Sequence, residues 1–380
     1  MHERPVVVFS GGGTGGHLYP ALAIADALRA RIPEVRAVFV GASRGVEARI
    51  LPELGEEHLL LPVSGIDRTR PLQSWRAGAH LAQSLLQVGT LFRELRPEAV
   101  VVTGGYASAP SGFMAGMMGI PLLVQEQNAV PGLAVRVLAH WAERVHVAFP
   151  EAVGRLPARA RAIATVTGNP VRPVSTRARA EARADFGLPA GAFVTLVMGG
   201  SQGSLALNRL VLEGVRGVVD GTLTRPESLQ LLWQTGLKHF DDCRAQLAEL
   251  GDPAWVHPLG YIDDMPTALA ATDVAVSRSG AMSTAELLNQ GLPSVLVPLP
   301  TAAADHQSHN AASLQEGGAA VWAPERGLTG AGLWETLLKI AGDEHVLDEM
   351  RGAARSLARP HAADEIATDL AELIRPGGSR

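Results

Sequence analysis

Ser277-Arg278-Ser279-Gly280-Ala281-Met282-Ser283-Thr284-Ala285-Glu286-Leu287 lies between two apolar runs, Asp273-Val274-Ala275-Val276 and residues 293–297, and reads as strand, tight loop, helix and strand. A glycine at the turn lets backbone come close to a ligand. The helix behind it aims unpaired N–H groups and the positive end of its dipole at the same point, which suits a phosphate. Ser283 and Thr284 add hydroxyl donors in the first helical turn, and Glu286 can accept from two neighbouring hydroxyls, as on a ribose. A local reading competes: Ser283 or Thr284 caps the helix and Glu286 favours its N-terminal half without any ligand. The rest of the chain decides between them.

The same pattern recurs along the sequence. An apolar strand at 6–9 runs into Gly11-Gly12-Gly13-Thr14-Gly15-Gly16-His17 and a helix at 20–30; a strand at 99–102 runs into Thr103-Gly104-Gly105-Tyr106-Ala107-Ser108. The strand at 121–124 ends in Gln125-Glu126-Gln127-Asn128, polar residues that belong at the crevice edge of a doubly wound sheet. The segment 165–173, with Gly168-Asn169-Pro170-Val171-Arg172-Pro173, interrupts regular structure and marks an interdomain connection. From residue 193 the alternation restarts: strand 193–198, loop Gly199-Gly200-Ser201-Gln202-Gly203-Ser204, helix 205–218, strand 229–234, helix 238–250, strand 255–261, then Ile262-Asp263-Asp264-Met265-Pro266 and a short helix back to the opening stretch. These alternations predict two successive open α/β units, each with glycine loops after strands.

Gly11 to Gly16 also satisfies G-x-G-x-x-G, so a dinucleotide enzyme must be weighed. That fingerprint wants an acidic residue ending the second strand, and Ala37-Val38-Phe39-Val40-Gly41-Ala42 has none. His306 and His309 stand three apart with only Asp305 beside them, weak support for a metal and better suited to a polar loop that reads sugar hydroxyls. The helix predicted over 72–95 carries Trp75, Leu81, Leu85 and Leu86 beside Arg76 and His80, downstream of Arg68 and Arg70. Its apolar face either packs inward or, with Met117 and Met118, rests on anionic lipid.

At 380 residues the chain exceeds what one core usually holds, and 47% hydrophobic content with 41 glycines fits a loop-punctuated α/β protein. Cys243 is the only cysteine, which excludes an intramolecular disulfide and a cysteine-based zinc site and fits a reducing compartment. No signal-peptide pattern or apolar segment of spanning length is present, so a cytoplasmic location is expected. The net charge of −5 divides unevenly. Residues 1–170 carry 16 arginines against 13 acidic side chains, net +3, and the remainder 17 basic against 25 acidic, net −8. The first part is therefore the better surface for an anionic substrate or membrane, and nothing is basic enough for nucleic acid.

Taken together, Gly12-Gly13-Thr14-Gly15-Gly16-His17, Gly104-Gly105-Tyr106, Glu126-Gln127-Asn128 with Pro131-Gly132, Gly168-Asn169-Pro170-Val171-Arg172, Gly199-Gly200-Ser201-Gln202-Gly203, Ile262-Asp263-Asp264-Met265, Arg278 through Glu286, and Gln307 to Asn310 resemble one family over nearly the whole chain. It is the MurG-type inverting GT-B glycosyltransferases, which add N-acetylglucosamine to undecaprenyl-diphospho-muramoylpentapeptide in peptidoglycan synthesis. The resemblance implies two Rossmann-like doubly wound domains facing across a cleft: 1–170 for the acceptor and membrane, 171–350 for UDP-N-acetylglucosamine, and a helical tail 351–380 packing back on the first domain. It implies Ile262 against uracil, Glu286 on the ribose, and Ser201 with Ala281, Met282, Ser283, Thr284 and Ala285 around ribose and diphosphate. Asn128 and Gln307 would read the sugar, Thr14, Gly15 and Gly16 would close on the donor, and Arg172 would add a cation.

The resemblance further implies that Gly13, Gly104, Gly105 and Tyr106 hold the acceptor diphosphate, that the enzyme is peripheral on the cytoplasmic face of the membrane, and that no metal or other cofactor is needed for the chemistry. The acceptor hydroxyl attacks the anomeric carbon as UDP leaves, and His17 and Glu126 are the candidate bases, each with a competing structural role. Where the family carries His-Glu-Gln-Asn this chain has Gln125-Glu126-Gln127-Asn128, which moves the weight to Glu126 and His17. Three alternatives stay open: a UDP-sugar GT-B enzyme with another acceptor, a UDP-sugar-binding protein without turnover, and a dehydrogenase should NAD(H) bind and UDP not.

Overall fold

The structure, a computed structural model, describes residues 4–63, 74–200 and 202–374, with side chains from Gly78 onward in the helix Ser74–Leu95. The expectations for Arg68, Arg70, Ser201 and the side chains of Trp75 and Arg76 lie outside the described residues. The chain divides into two units, one running to Val171 and resumed from Pro360, the other Arg172–Arg359.

In the first unit seven parallel strands form one sheet: β1 (Val6–Ser10), β2 (Arg36–Ala42), β3 (His58–Leu61), β4 (Ala99–Val102), β5 (Leu122–Glu126), β6 (Arg144–Val147) and β7 (Ala164–Val166), in spatial order β3-β2-β1-β4-β5-β6-β7. The strands are near-continuous apolar runs because both faces are covered. Alternate side chains feed opposite layers. Val6, Val8, Val100 and Val102 pack with Val88, Phe92 and Leu138, while Val7, Phe9, Ala99 and Val101 pack with Leu18, Ile24 and Leu28. The order reverses between β1 and β4, so the loops leaving those strands diverge at a switch point, where such sheets bind ligands.

The second unit repeats the plan with β8 (Phe193–Met198), β9 (Leu229–Gln234), β10 (Val256–Leu259), β11 (Val274–Ser277), β12 (Ser294–Leu296) and β13 (Ala320–Trp322), in order β10-β9-β8-β11-β12-β13, all parallel. Its switch point lies between β8 and β11. Both sheets are thus Rossmann-like and doubly wound.

Four boundaries differ from expectation. The first helix is Gly15–Arg31 and begins five residues before Pro20; the missing proline N–H forgoes only the bond to the carbonyl of Gly16. β5 extends through Gln125 and Glu126, which are buried along with Gln127. β7 lies where an irregular connection was expected, because two or three residues suffice to pair along the edge of β6. The tail joins the first unit from Pro360, not 351: the helix Glu344–Leu357 continues unbroken through 351 and packs on the helix Ala281–Gln290. Only the helix Ala362–Leu373 joins the first core, setting Ile366, Ala367 and Leu370 against the helix Gly15–Arg31.

Candidate functional site

At the first switch point the loops after β1 and β4 are pressed together. A Cβ on Gly105 would lie 2.0 Å from the carbonyl oxygen of Gly12, and Gly104 and Gly105 both have left-handed φ (+90° and +76°), so glycine is required twice over. The N–H groups of Gly104 and Gly105 meet no acceptor among the described residues, nor do those of Gly15 and Gly16 in the first turn of a helix whose N-cap, Thr14, makes no side-chain cap. Gly13 differs. Its N–H is spent on Glu47 Oε1 at 2.7 Å, and it serves the turn through φ of +96° and contact with the Tyr106 ring.

His17 sits behind these amides. Its Nδ1 lies 3.0 Å from the carbonyl oxygen of Thr103 and 2.8 Å from Gln127 Oε1. The Gln127 amide nitrogen faces Thr103 O at 2.7 Å and also donates to Gln125 Oε1, so the Gln127 oxygen is left to accept from His17. Nδ1 therefore carries the proton and Nε2 the lone pair. Burial holds the imidazole below its ordinary pKa, opposed by the bonds to Gln127 and Thr103 and by the charge of Glu47. The ring is neutral at pH 7, with Nε2 able to take a proton.

Glu126 is engaged differently. Its Oε1 accepts the Asn128 N–H at 2.8 Å and Asn128 Nδ2 at 3.2 Å, and its Oε2 accepts the Gly132 N–H at 2.9 Å. Burial raises its pKa while these donors pull it back. Such a carboxylate fastens the 128–132 turn, and with it Asn128, and has little left for an incoming hydroxyl. Of the two candidate bases, geometry favours His17. Gln125, where the family carries histidine, is wholly buried and donates to Asn169 Oδ1 at 3.2 Å, while Asn169 Nδ2 returns to the carbonyl oxygen of Gln127. It belongs to an amide network that supports His17.

In the second unit the helix Ala281–Gln290 starts at the carboxyl end of β11 with Gly280 as an N-cap that supplies no side chain and no acidic residue in the first turn. Gly280 has an ordinary φ, and a Cβ there would meet nothing within 4 Å, so neither backbone nor neighbours demand glycine. The Thr284 hydroxyl is buried and turned to the carbonyls of Gly280 and Ala281, so it is no ligand donor, contrary to expectation, whereas Ser283 is half-buried. Ala281 is buried, and Met282 and Ala285 lie half-buried beside it. Glu286 and Arg172 line one recess with Pro266 and Asn289; burial raises the Glu286 carboxyl pKa and the Arg172 charge opposes the rise.

The supports of this site were missed in the sequence. Gln234, the last residue of β9, donates to Gly200 O at 3.0 Å and accepts from Ile262 N at 3.1 Å, tying the glycine loop to the buried Ile262. Arg278 is buried, donates to Ser204 Oγ at 2.7 Å and to the carbonyls of Val297 and Pro298 at 3.0 Å, and pairs with Glu325. Gln307 Oε1 accepts the Leu299 N–H at 2.9 Å, and Ala304 and Asp305 just before it are both left-handed, a strained stretch of the kind found at ligand clamps. A polar residue closing an apolar strand was the available signal for Gln234. Among the described residues no three His, Cys, Asp or Glu side chains gather as metal ligands, and His306 instead bonds the carbonyl of Ala303.

Comparison with known proteins identifies the family. The glycosyltransferase family 28 N-terminal domain matches residues 7–147 and the family 28 C-terminal domain residues 194–366. A UDP-N-acetylglucosamine–N-acetylmuramyl-(pentapeptide) pyrophosphoryl-undecaprenol N-acetylglucosamine transferase of Salinibacter ruber is 42% identical over 98% of this chain and 97% of its own, and one of Desulforudis audaxviator is 41% identical over 98% and 100%. The crystal structure of Acinetobacter baumannii MurG superposes with a TM-score of 0.75 at 27% identity, covering 97% of this chain and 99% of that one. With two Rossmann-like units of the GT-B type, the chain belongs to glycosyltransferase family 28 and, within it, to the MurG family.

Proposed function

We propose that this glycosyltransferase moves N-acetylglucosamine from UDP-N-acetylglucosamine to the muramoyl sugar of undecaprenyl-diphospho-muramoylpentapeptide, converting lipid I to lipid II with inversion at the anomeric carbon. The carrying observation is the open, uncapped helix N-terminus after Gly280 with Glu286 and Arg172 lining one recess beyond it, in a chain 42% identical to an enzyme named for that transfer. UDP lies with its diphosphate on the Met282 and Ser283 amides, its ribose on Glu286 and its base at Ile262. The acceptor diphosphate lies on the amides of Gly104, Gly105, Gly15 and Gly16. His17 Nε2 takes the proton of the attacking hydroxyl as the C–O bond to UDP breaks. Loop amides, the helix dipole and Arg172 meet the charge gathering on the leaving phosphate, so transfer proceeds without a divalent metal.

We also read the enzyme as peripheral on the cytoplasmic face of an anionic membrane. No helix among the described residues is long and apolar enough to span a bilayer. Three neighbouring helices of the first unit, Ser74–Leu95, Ser108–Met118 and Leu133–Leu138, expose Leu81, Leu86, Phe113, Met117, Met118, Leu133 and Val137, with Trp141 edge-on to Phe113. Leu85 is only half-exposed, so Leu86 takes its place in the patch.

The test is UDP release from UDP-N-acetylglucosamine with and without a lipid I analogue, in excess chelator. Acceptor-dependent release, with label appearing in the lipid, is the expected result. Release that ignores the analogue, or transfer only to other acceptors, overturns the assignment, and a chelator-sensitive rate overturns the metal-free mechanism.

A further inference from the structure

Glu47 is completely buried at the start of the helix Glu47–Glu53. Its Oε1 accepts the N–H of Gly13 at 2.7 Å and of Ala42, the last residue of β2, at 3.1 Å. Its Oε2 is buried with no hydrogen-bond partner among the described residues. Three glycines surround the side chain. A Cβ would come within 1.6 Å of the carboxylate from Gly12, within 2.1 Å from Gly45 and within 2.8 Å of its methylenes from Gly41. None of the three has a left-handed φ, so backbone conformation does not call for glycine there; the space is kept for the carboxylate. An unpaired buried carboxylate oxygen is costly, so the bonds its other oxygen makes to Gly13 and Ala42 point to a use in holding those two segments together.

We propose that Glu47 is a positioning residue for the transfer, latching the first glycine turn to the end of β2 through Gly13 and Ala42. Turning the Gly13 amide inward leaves the Gly15 and Gly16 amides as the outward-facing set. Burial, with Glu47 adding to it, holds the Tyr106 hydroxyl above its ordinary pKa. The inference rests on the acceptor site given under the proposed function.

Glu47→Gln removes the charge while keeping an acceptor for Gly13 and Ala42; Glu47→Ala and Gly45→Ala break the latch from its two sides. Expected is an acceptor KM near that of wild type in Glu47→Gln, which keeps the accepting oxygen. In Glu47→Ala and Gly45→Ala, acceptor KM should rise roughly tenfold or more with UDP affinity unchanged by calorimetry. Should Glu47→Ala fail to fold, Gly45→Ala and Glu47→Gln carry the test. An acceptor KM in Glu47→Gln as high as in the latch variants, or an unchanged acceptor KM in the folded latch variants, overturns the proposal. A wild-type enzyme that transfers nothing to the lipid I analogue instead overturns the function on which it rests.

Discussion

His17 Nδ1 stands 2.8 Å from Gln127 Oε1 across 110 residues of sequence, and because the Gln127 amide nitrogen is already turned to Thr103 at 2.7 Å, that oxygen fixes which nitrogen of the imidazole holds the proton. A ring held this way presents Nε2 unprotonated to the switch point. The catalytic use proposed for it rests on that constraint.

His17→Gln should lower kcat about 10²- to 10⁴-fold, the range for losing a general base, with UDP affinity unchanged. The wild-type acid limb of kcat/KM should lie below the ordinary histidine value of about 6.5, since burial lowers the His17 pKa and the neutral form persists to lower pH. Gln127→Glu sets a carboxylate against Nδ1–H and should move that limb upward. Turnover of His17→Gln within a few-fold of wild type would remove His17 as the base.

Glu126→Gln exchanges one accepting oxygen for an amide nitrogen that must face the N–H of Asn128 or Gly132. A donor against a buried donor costs about 1–3 kcal/mol, so the melting temperature should drop, with kcat falling only as far as the 128–132 turn loosens. A large loss of kcat with melting unchanged would return Glu126 to the list of bases.

Glu286→Ala should raise the Kd for UDP roughly 10- to 100-fold with less effect on kcat at saturation, because the ribose contact is equal in ground and transition states. Burial raises the Glu286 pKa, so protonation, which removes acceptor capacity, begins at higher pH than for an ordinary glutamate near about 4.3. UDP titrations in falling pH should weaken above that value in wild type and stay flat in Glu286→Ala. Parallel curves would separate Glu286 from the nucleotide.

Leu86 is 74% exposed and Met117 66% exposed. Burying either in lipid is worth about 1.5–3 kcal/mol, so Leu86→Glu with Met117→Glu should abolish most co-sedimentation with anionic vesicles while leaving UDP binding intact. Undiminished sedimentation would place the membrane contact elsewhere.

The sequence by itself determined the two sheets, because a buried parallel strand and a glycine loop are written in consecutive residues: Val6–Ser10 before Gly11, Ala99–Val102 before Gly104, Phe193–Met198 before Gly199 and Val274–Ser277 before Gly280. It also determined where to look, since those loops leave the carboxyl ends of the strands. Only the tertiary structure decided what each polar side chain does. Thr284 and Ser283 are neighbours with the same chemistry, yet one hydroxyl turns into its own helix and the other does not. Glu126 and His17 were equal candidates until hydrogen bonds to Asn128 and Gly132 occupied the first and Gln127 oriented the second. Glu47 carried no local signal, because the glycines that enclose it come from both strand ends, and β7 was too short for periodicity to mark. Strand and loop follow from local propensity; the protonation and partners of a side chain depend on which distant atoms packing brings within 3 Å.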